Sequence, residues 1–422
     1  MNEIKVSRQL GKQINSKLIL NLIKAGPISR AEIASESGLS AATVSNLTSE
    51  LIDQGLVRES GVGEATRGRP PVLLSLNSNA RFVVGVKVMP GSLVAVVTDL
   101  DAEVIAHREL KYSGASAPLH QNGSPDTTPA EVVEKVAQLV DEVIKDAGIE
   151  RADLLGVGLG LAGFIDSNAG VCRYSPFFGW RDVNLASPLT SALGLDVYLE
   201  NDVNSLTIAE QWFGHGRSYE HFVVVTVGRG IGVGFVLNGR FYAGHEGGVG
   251  ELGHVTVVPD GPICSCGRRG CLEVMASDRA LIQAARESIA DGKLAVLTES
   301  GDITVEALVA AADGGADTAR SLIAESGRWL GIGLATIVNL LNPELIIVAG
   351  EGVEAGDLRL DPMREALREG RFDSLGSDTK LVVESSGDVT WARGAACVVL
   401  SEFFRSPLHR GRPAPVSMGE TE

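Results

Sequence analysis

Three of the chain's five cysteines, Cys264, Cys266 and Cys271, fall within eight residues in a C-x-C-x4-C pattern punctuated by Gly267 and Gly270. Thiolates are soft ligands and glycines allow tight turns. The spacing therefore points to three sulfurs converging on one tetrahedral ion, with a structural zinc as the expected occupant. A closed site of that kind needs a fourth ligand, for which His254 is the first choice and His245 the second. Glu251 and Glu273 flank these ligands. They admit two readings: carboxylates held on a metal-fixed loop and aimed into a cavity, or ordinary solvated acids.

The elements around this loop read as a repeated α/β pattern. Phe82–Lys87, Leu93–Asp99 and Val104–Leu110 are strand-like runs, followed by an amphipathic helix over Pro129–Asp146 and a strand over Leu154–Leu159. The order recurs at His221–Val227, Ile231–Leu237 with an Asn238-Gly239 hairpin turn, Arg240–Ala243, then helices and Leu345–Val348. Two copies of β-β-β-α-β predict a duplicated α/β body with a cleft between lobes. The sequence Leu199–Asn204, L-E-N-D-V-N, falls at a strand-to-helix junction. Such junctions hold small molecules in α/β folds, although helix capping by Asp202 explains the same residues.

At 422 residues the chain should divide into two or three domains. No apolar run approaches eighteen residues, and Glu3, Lys5 and Arg8 stand where a signal peptide would be apolar, so a cytoplasmic protein with no membrane partner is expected. Five cysteines with a metal-like cluster fit a reducing compartment better than a disulfide framework. The net charge of −16 is unevenly spread: residues 1–80 hold nine Lys/Arg against seven acids, leaving −18 on the rest. An acidic body repels DNA, so only the N-terminal module could approach phosphate.

That module, residues 1–80, carries helix signals of its own. Ser16 is a candidate N-cap for a helix with Leu18, Ile19, Leu22 and Ile23 inward, ending before Gly26-Pro27. Ser29 and Glu32 have capping-box spacing for a second helix that runs to Gly38. Ser40 opens a third, with Val44, Leu47, Leu51 and Ile52 inward and Gly55 at its end. The pattern predicts a helix-turn-helix. On the third helix Ala41, Ala42, Thr43, Ser45, Asn46 and Ser49 point the other way. They are small or hydrogen-bonding, as a helix entering a major groove requires. Leu56–Arg58 and Val72–Leu76 read as the strands of a wing whose tip holds Arg67 and Arg69. These arginines could reach phosphate or a minor groove, and a plain linker is the bland alternative. The candidate DNA-binding residues are Arg30, Ser40, Ala41, Thr43, Ser45, Asn46, Arg67 and Arg69.

Three ordered motifs, V-G-R-G-I-G-V-G-F (Val227–Phe235), G-G-V-G-E-L-G-H (Gly247–His254) and C-S-C-G-R-R-G-C-L-E (Cys264–Glu273), resemble the ROK family of sugar kinases and sugar-responsive repressors. The N-terminal segment is similar to the operator-binding half of the repressors. The resemblance implies a winged helix-turn-helix followed by a two-lobed, actin-like (RNase H-like) ROK domain over residues 81–405, with the helix Trp391–Phe404 returning to the first lobe. Residues 406–422, rich in Pro, Gly and Arg, are expected to be a disordered tail. It also implies that Asp202 matches the kinases' general base and Asn201 a neighbouring hydroxyl binder. Asn201, Asp202, Glu251, His254 and Glu273 would then surround a pyranose, with Gly163, in the Gly160–Gly163 stretch, on an adjoining backbone wall. His254 would place one ring nitrogen on zinc and turn the other to the sugar.

The kinases' first phosphate loop has the form D-x-G-G-T, where this chain reads Lys87-Val88-Met89-Pro90-Gly91. The aspartate is a lysine, the paired glycines are gone and Pro90 removes an N–H, so binding of magnesium nucleotide is not expected. The second loop keeps its glycines in Gly228-Arg229-Gly230-Ile231-Gly232, but Arg229 replaces a threonine. The expectation is a non-enzymatic, zinc-containing regulator, a homodimer or homotetramer. It would read a palindromic double-stranded operator and answer to a sugar or sugar phosphate. An active hexose kinase fused to a DNA-binding domain is the alternative.

Overall fold

The computed structural model describes residues 7–63, 70–112, 127–295 and 303–407. Two compact units divide the chain: the first comprises the chain up to Glu200 together with the segment from Ala392 onward, and the second Asn201–Trp391.

Within the first unit the N-terminal segment forms α1 (Arg8–Ala25), β1 (Ile28–Ser29), α2 (Arg30–Ser37), α3 (Ala41–Asp53), β2 (Val57–Val62) and β3 (Val72–Leu76). The three strands make one sheet in the order β1-β3-β2, so the helix-turn-helix carries a wing as expected. Ser29 and Glu32 form a complete capping box on α2, and the Ser40 hydroxyl accepts from the Thr43 N–H to start α3. The start of α1 is a correction. It begins at Arg8 because the Ser7 hydroxyl accepts from the Leu10 N–H, and Ser16 sits inside the helix. Its buried face is Ile19, Leu20 and Ile23, while Leu18 is turned outward.

The first lobe follows with β4 (Phe82–Met89), β5 (Ser92–Thr98), β6 (Val104–Lys111), α4 (Pro129–Ala147), β7 (Leu154–Leu161), β8 (Phe164–Asp166), β9 (Val171–Ser175), β10 (Trp180–Asn184), α5 (Ala186–Leu193) and β11 (Val197–Asn201). The main sheet runs β11-β7-β4-β5-β6, with β4 and β5 antiparallel and β4 and β7 parallel. Strand β4 is valine-rich and buried along nearly its whole length, as a strand covered on both faces must be. The edge strand β6 carries His107, Arg108, Glu109 and Lys111 in its second half, polar and charged groups that discourage edge pairing. A small sheet, β10-β9-β8, was not anticipated.

The second unit repeats the plan. It contains α6 (Asp202–Phe213), β12 (Phe222–Val227), β13 (Ile231–Leu237), β14 (Arg240–Tyr242), α7 (Leu272–Ala276), α8 (Asp278–Ala290), α9 (Val305–Asp313), α10 (Asp317–Leu341), β15 (Leu345–Ala349), α11 (Asp357–Gly370) and β16 (Lys380–Glu384). Its sheet, β14-β13-β12-β15-β16, has antiparallel hairpins on one side and parallel strands on the other, as in the first lobe. The duplication read from the sequence is therefore present, with β16 as an additional strand.

The last helix, α12 (Asp388–Phe404), starts three residues before Trp391, and its length from Ala392 onward belongs to the first unit. Two glycines permit its approach to the sheet. A Cβ on Gly85 of β4 would lie 2.0 Å from the Ala392 carbonyl oxygen, and one on Gly158 of β7 would lie 1.9 Å from that of Ala395. At its other end, Lys17 donates to the Phe403 carbonyl and sits 4.0 Å over the Phe403 ring. The Asn21 side-chain amide reaches the Phe404 carbonyl at 2.9 Å. Thus α1 satisfies carbonyls that the end of α12 leaves without helical partners.

Candidate functional site

Strand β13 and the Gly-rich turn before it gather the polar residues of the second unit. The N-terminal turn of α6 packs on it, since a Cβ at Gly232 would meet the Val203 side chain at 2.8 Å. The loop carrying Glu251 and His254 lies along the same strand: Gly250 would clash with the Val233 carbonyl at 2.0 Å and Gly253 with the Ile231 carbonyl at 2.4 Å. The Val233 N–H donates to the Gly250 carbonyl at 3.1 Å. Glu273, on α7, places a carboxylate oxygen 2.9 Å from where a Gly230 Cβ would stand. Small residues at these points let three chain segments reach one strand.

At the junction of β11 and α6 the cap is Asn201, whose side-chain oxygen accepts from the Asn204 N–H at 3.1 Å. The capping role considered for Asp202 thus falls to its neighbour, and Asp202 is the first residue of the helix, accepting from the Val203 N–H at 3.0 Å. Gly163 lies in the first unit, at φ 137° with the Tyr174 carbonyl 2.3 Å from a notional Cβ. No side chain could occupy that position.

His254 faces two ways. Its Nδ1 is 3.5 Å from the Cys264 sulfur, and its Nε2 is 3.7 Å from a Glu251 carboxylate oxygen. Cys266 and Cys271 sulfurs are 3.6 Å apart, and the ligand atoms of His254, Cys264, Cys266 and Cys271 all lie within 4.8 Å of one another. Sulfurs bound to one tetrahedral zinc at about 2.3 Å stand roughly 3.8 Å apart, so the donor set fits a metal ion. His245 is exposed beside Glu246 and stands outside this group.

The loop is shaped by local pairing: the Cys264 N–H donates to the Arg268 carbonyl at 2.7 Å, and the Gly270 N–H to Pro262 at 2.8 Å. Gly270 has φ 62°, and a Cβ there would lie 1.5 Å from the Val258 carbonyl, so the turn requires glycine. Burial pushes the Cys271 thiol up, and the neighbouring Cys266 and Cys264 sulfurs add to the rise. Burial also raises Cys266, but hydrogen bonds with Arg268, Cys264 and Cys271 together outweigh it and bring this thiol down. Three thiolates gathered this closely would repel one another, and a bound cation would offset that repulsion.

Glu251 is largely exposed, while Glu273 is mostly buried, with Arg279 3.6 Å from its carboxylate. Behind the Gly228–Gly230 turn lies a pair that sequence reasoning missed. Arg359, fully buried, donates to Asp278 at 2.6 Å, to the Gly352 carbonyl at 2.8 Å and to the Ser326 hydroxyl at 3.0 Å. Asp278 in turn gives its backbone N–H to the Gly228 carbonyl at 2.8 Å. Partners 81 residues apart leave no local signal. The Glu351 carboxylate also approaches Gly228, within 2.5 Å of a notional Cβ.

In the first unit, Lys87 is buried on β4. The Pro90-Gly91 turn that follows is fastened by Tyr112, whose N–H donates to the Gly91 carbonyl at 3.0 Å and whose hydroxyl donates to the Met89 carbonyl at 2.7 Å.

On α3, Ala41, Ala42, Ser45, Asn46 and Ser49 are exposed and Thr43 half-buried, opposite the buried Val44, Leu47, Thr48 and Leu51. The Ser40 hydroxyl is committed to capping and lies 2.9 Å from that of Thr43. Arg30 is held by the Thr48 hydroxyl at 3.1 Å and by Glu59 at 3.4 Å. Arg67 and Arg69 lie outside the described residues.

Residues 86–402 match the ROK family. The chain belongs to the ROK family. Residues 13–68 match the MarR family, in keeping with the winged helix. A putative xylose repressor from Caldicellulosiruptor sp. (strain Rt8B.4) is 32% identical over 94% of this chain and 98% of its own length. The crystal structure of a ROK family transcriptional regulator, a homolog of the E. coli MLC protein, is similar at a TM-score of 0.79 and 29% identity, covering 94% of this chain and 97% of that one. A ROK family glucokinase from Streptomyces griseus, solved with glucose and AMPPNP, has a TM-score of 0.63 and 28% identity, covering 75% of this chain and 98% of that one. The ROK fold is thus shared with regulator and kinase alike, and of these two structures the regulator's match is the one that extends over nearly the whole chain.

Proposed function

We propose that this ROK protein is a sugar-responsive transcriptional repressor without kinase activity, acting in the cytoplasm. The observation that carries the reading is the contrast between two loops. Around β13 the residues proposed to face the sugar, Asn201, Asp202, Glu251, His254 and Glu273, belong to segments that glycines let close onto the strand. At the first phosphate loop a buried lysine and a proline turn replace what a magnesium nucleotide needs.

Zinc is the proposed metal, held by His254, Cys264, Cys266 and Cys271. It would fix the loop and orient the outward ring nitrogen of His254 toward Glu251 and a sugar hydroxyl. Gly163 is proposed as backbone wall, and residues 1–80 as the operator-binding domain joined to a ROK domain over 81–405. The winged helix would read a palindromic operator as a homodimer or homotetramer, and Arg67 and Arg69 would add phosphate contacts. The effector is a sugar or sugar phosphate that must favour the DNA-free form.

The test combines calorimetry against a panel of sugars and sugar phosphates with operator binding and a coupled phosphotransfer assay. A carbohydrate that binds, lowers operator affinity and loses its effect in Asp202→Asn while DNA binding persists is the expected result. Turnover of a hexose at ordinary enzymatic rates would replace the repressor reading with the kinase one.

A further inference from the structure

The outward stripe of α3 is Ala42, Ser45, Asn46 and Ser49, spaced i, i+3, i+4, i+7 so that the four share one face. Helix α3 contains no lysine or arginine. The nearby guanidinium of Arg30 is tied to Thr48 and Glu59. Lys12 is paired with Glu50 at 2.7 Å, which also engages one of the two acids on α3. Asn46 is exposed, and its amide makes no hydrogen bond to another described residue.

Each base pair presents a different edge in the major groove. Guanine is taken most often by arginine or lysine through O6 and N7, cytosine by a carboxylate through N4, adenine by asparagine or glutamine through N6 and N7, and the thymine methyl by small apolar groups. The stripe has the last two chemistries and lacks the first two. Its small side chains also let the helix backbone sink close to the groove floor, which brings the short Asn46 amide within reach of a base edge.

Resting on the proposal that the winged helix binds an operator, we infer that α3 reads A·T pairs at the core of each half-site. Asn46 is its specificity-determining residue, paired bidentately with an adenine, and Ala42 lies against a thymine methyl. Sequence preference therefore comes from one amide and shape fit, and phosphate attraction comes from residues off this face.

The experiment is selection from a randomised duplex library with full-length protein, run in parallel for wild type, Asn46→Ala and Asn46→Arg. Wild type should enrich half-sites with an A·T core. Asn46→Ala should lose the adenine preference at one position per half-site and weaken binding to the best site about 5- to 150-fold. Asn46→Arg should move that position toward guanine. Enrichment of G·C pairs at the core by wild type, or an adenine preference that survives Asn46→Ala, overturns the inference and leaves operator binding standing. If wild type enriches no sequence, operator binding fails and this inference with it.

Discussion

Gly158→Ala offers a test of sign as well as size. In a strand, replacing glycine by alanine removes conformational freedom from the unfolded chain, which by itself stabilises by about 0.5–1 kcal/mol. At Gly158 the added carbon would stand 1.9 Å from the Ala395 carbonyl oxygen, and a comfortable C···O separation is about 3.3 Å. The helix α12 would have to retreat by about 1.4 Å. Backbone cannot swing aside as a side chain can. The overpacking cost thus belongs at the upper end of about 1–3 kcal/mol, for a net loss of about 2 kcal/mol. In a unit of this size that lowers the melting temperature by about 4–8 °C. Calorimetric melting of the full-length protein reads it directly. Because the obstacle is a carbonyl, Ala395→Gly should not rescue the variant. A Gly158→Ala protein as stable as wild type or more so would refute the packing argument for α12.

Three further outcomes follow from the geometry. Asp278→Asn leaves the Arg359 guanidinium buried without its counter-charge and should cost about 3–5 kcal/mol, whereas Arg359→Met should cost less; equal losses in chemical unfolding would contradict the charge argument. Burial lowers Lys17 from 10.5 to about 8, so between those values the unfolded chain holds more protons than the folded one and stability should climb as pH rises, by about 3 kcal/mol in all. Lys17→Met should remove that climb, and an unchanged slope in the variant would count against a buried ammonium. Freshly purified protein should carry one zinc per chain by native mass spectrometry and Cys271→Ser none; zinc-free wild type would remove the metal from the mechanism.

Much of the architecture could be read locally, because caps and period-two runs act over a few residues. Ser29 with Glu32, Ser40 with Thr43, and the valines of β4 and β12 each declare their element without help from afar. The cysteine cluster was legible for the same reason: Gly267 and Gly270 shape the turn within the motif itself. What escaped depends on distance along the chain. Nothing near Lys17 announces Phe403, and nothing near Asp278 announces Arg359. Arg30 looked available for DNA only because Thr48 and Glu59, which hold it, are separate in sequence. Leu18 shares the apolar spacing of its neighbours, but the core lies against the stripe Ile19, Leu20 and Ile23, a distinction that packing and not spacing decides.

The first unit is assembled from segments that lie on either side of the second unit in the sequence. Its sheet and reading head are synthesised early, yet the helix that lies on Gly85 and Gly158 and meets Lys17 and Asn21 is translated only after the whole second unit. While the ribosome is still at work, that sheet face lacks its cover and α1 lacks its footing, a window in which exposed apolar strands favour aggregation. A stop codon ahead of Phe404 would therefore harm α1, because the carbonyls that Lys17 and Asn21 meet would be missing.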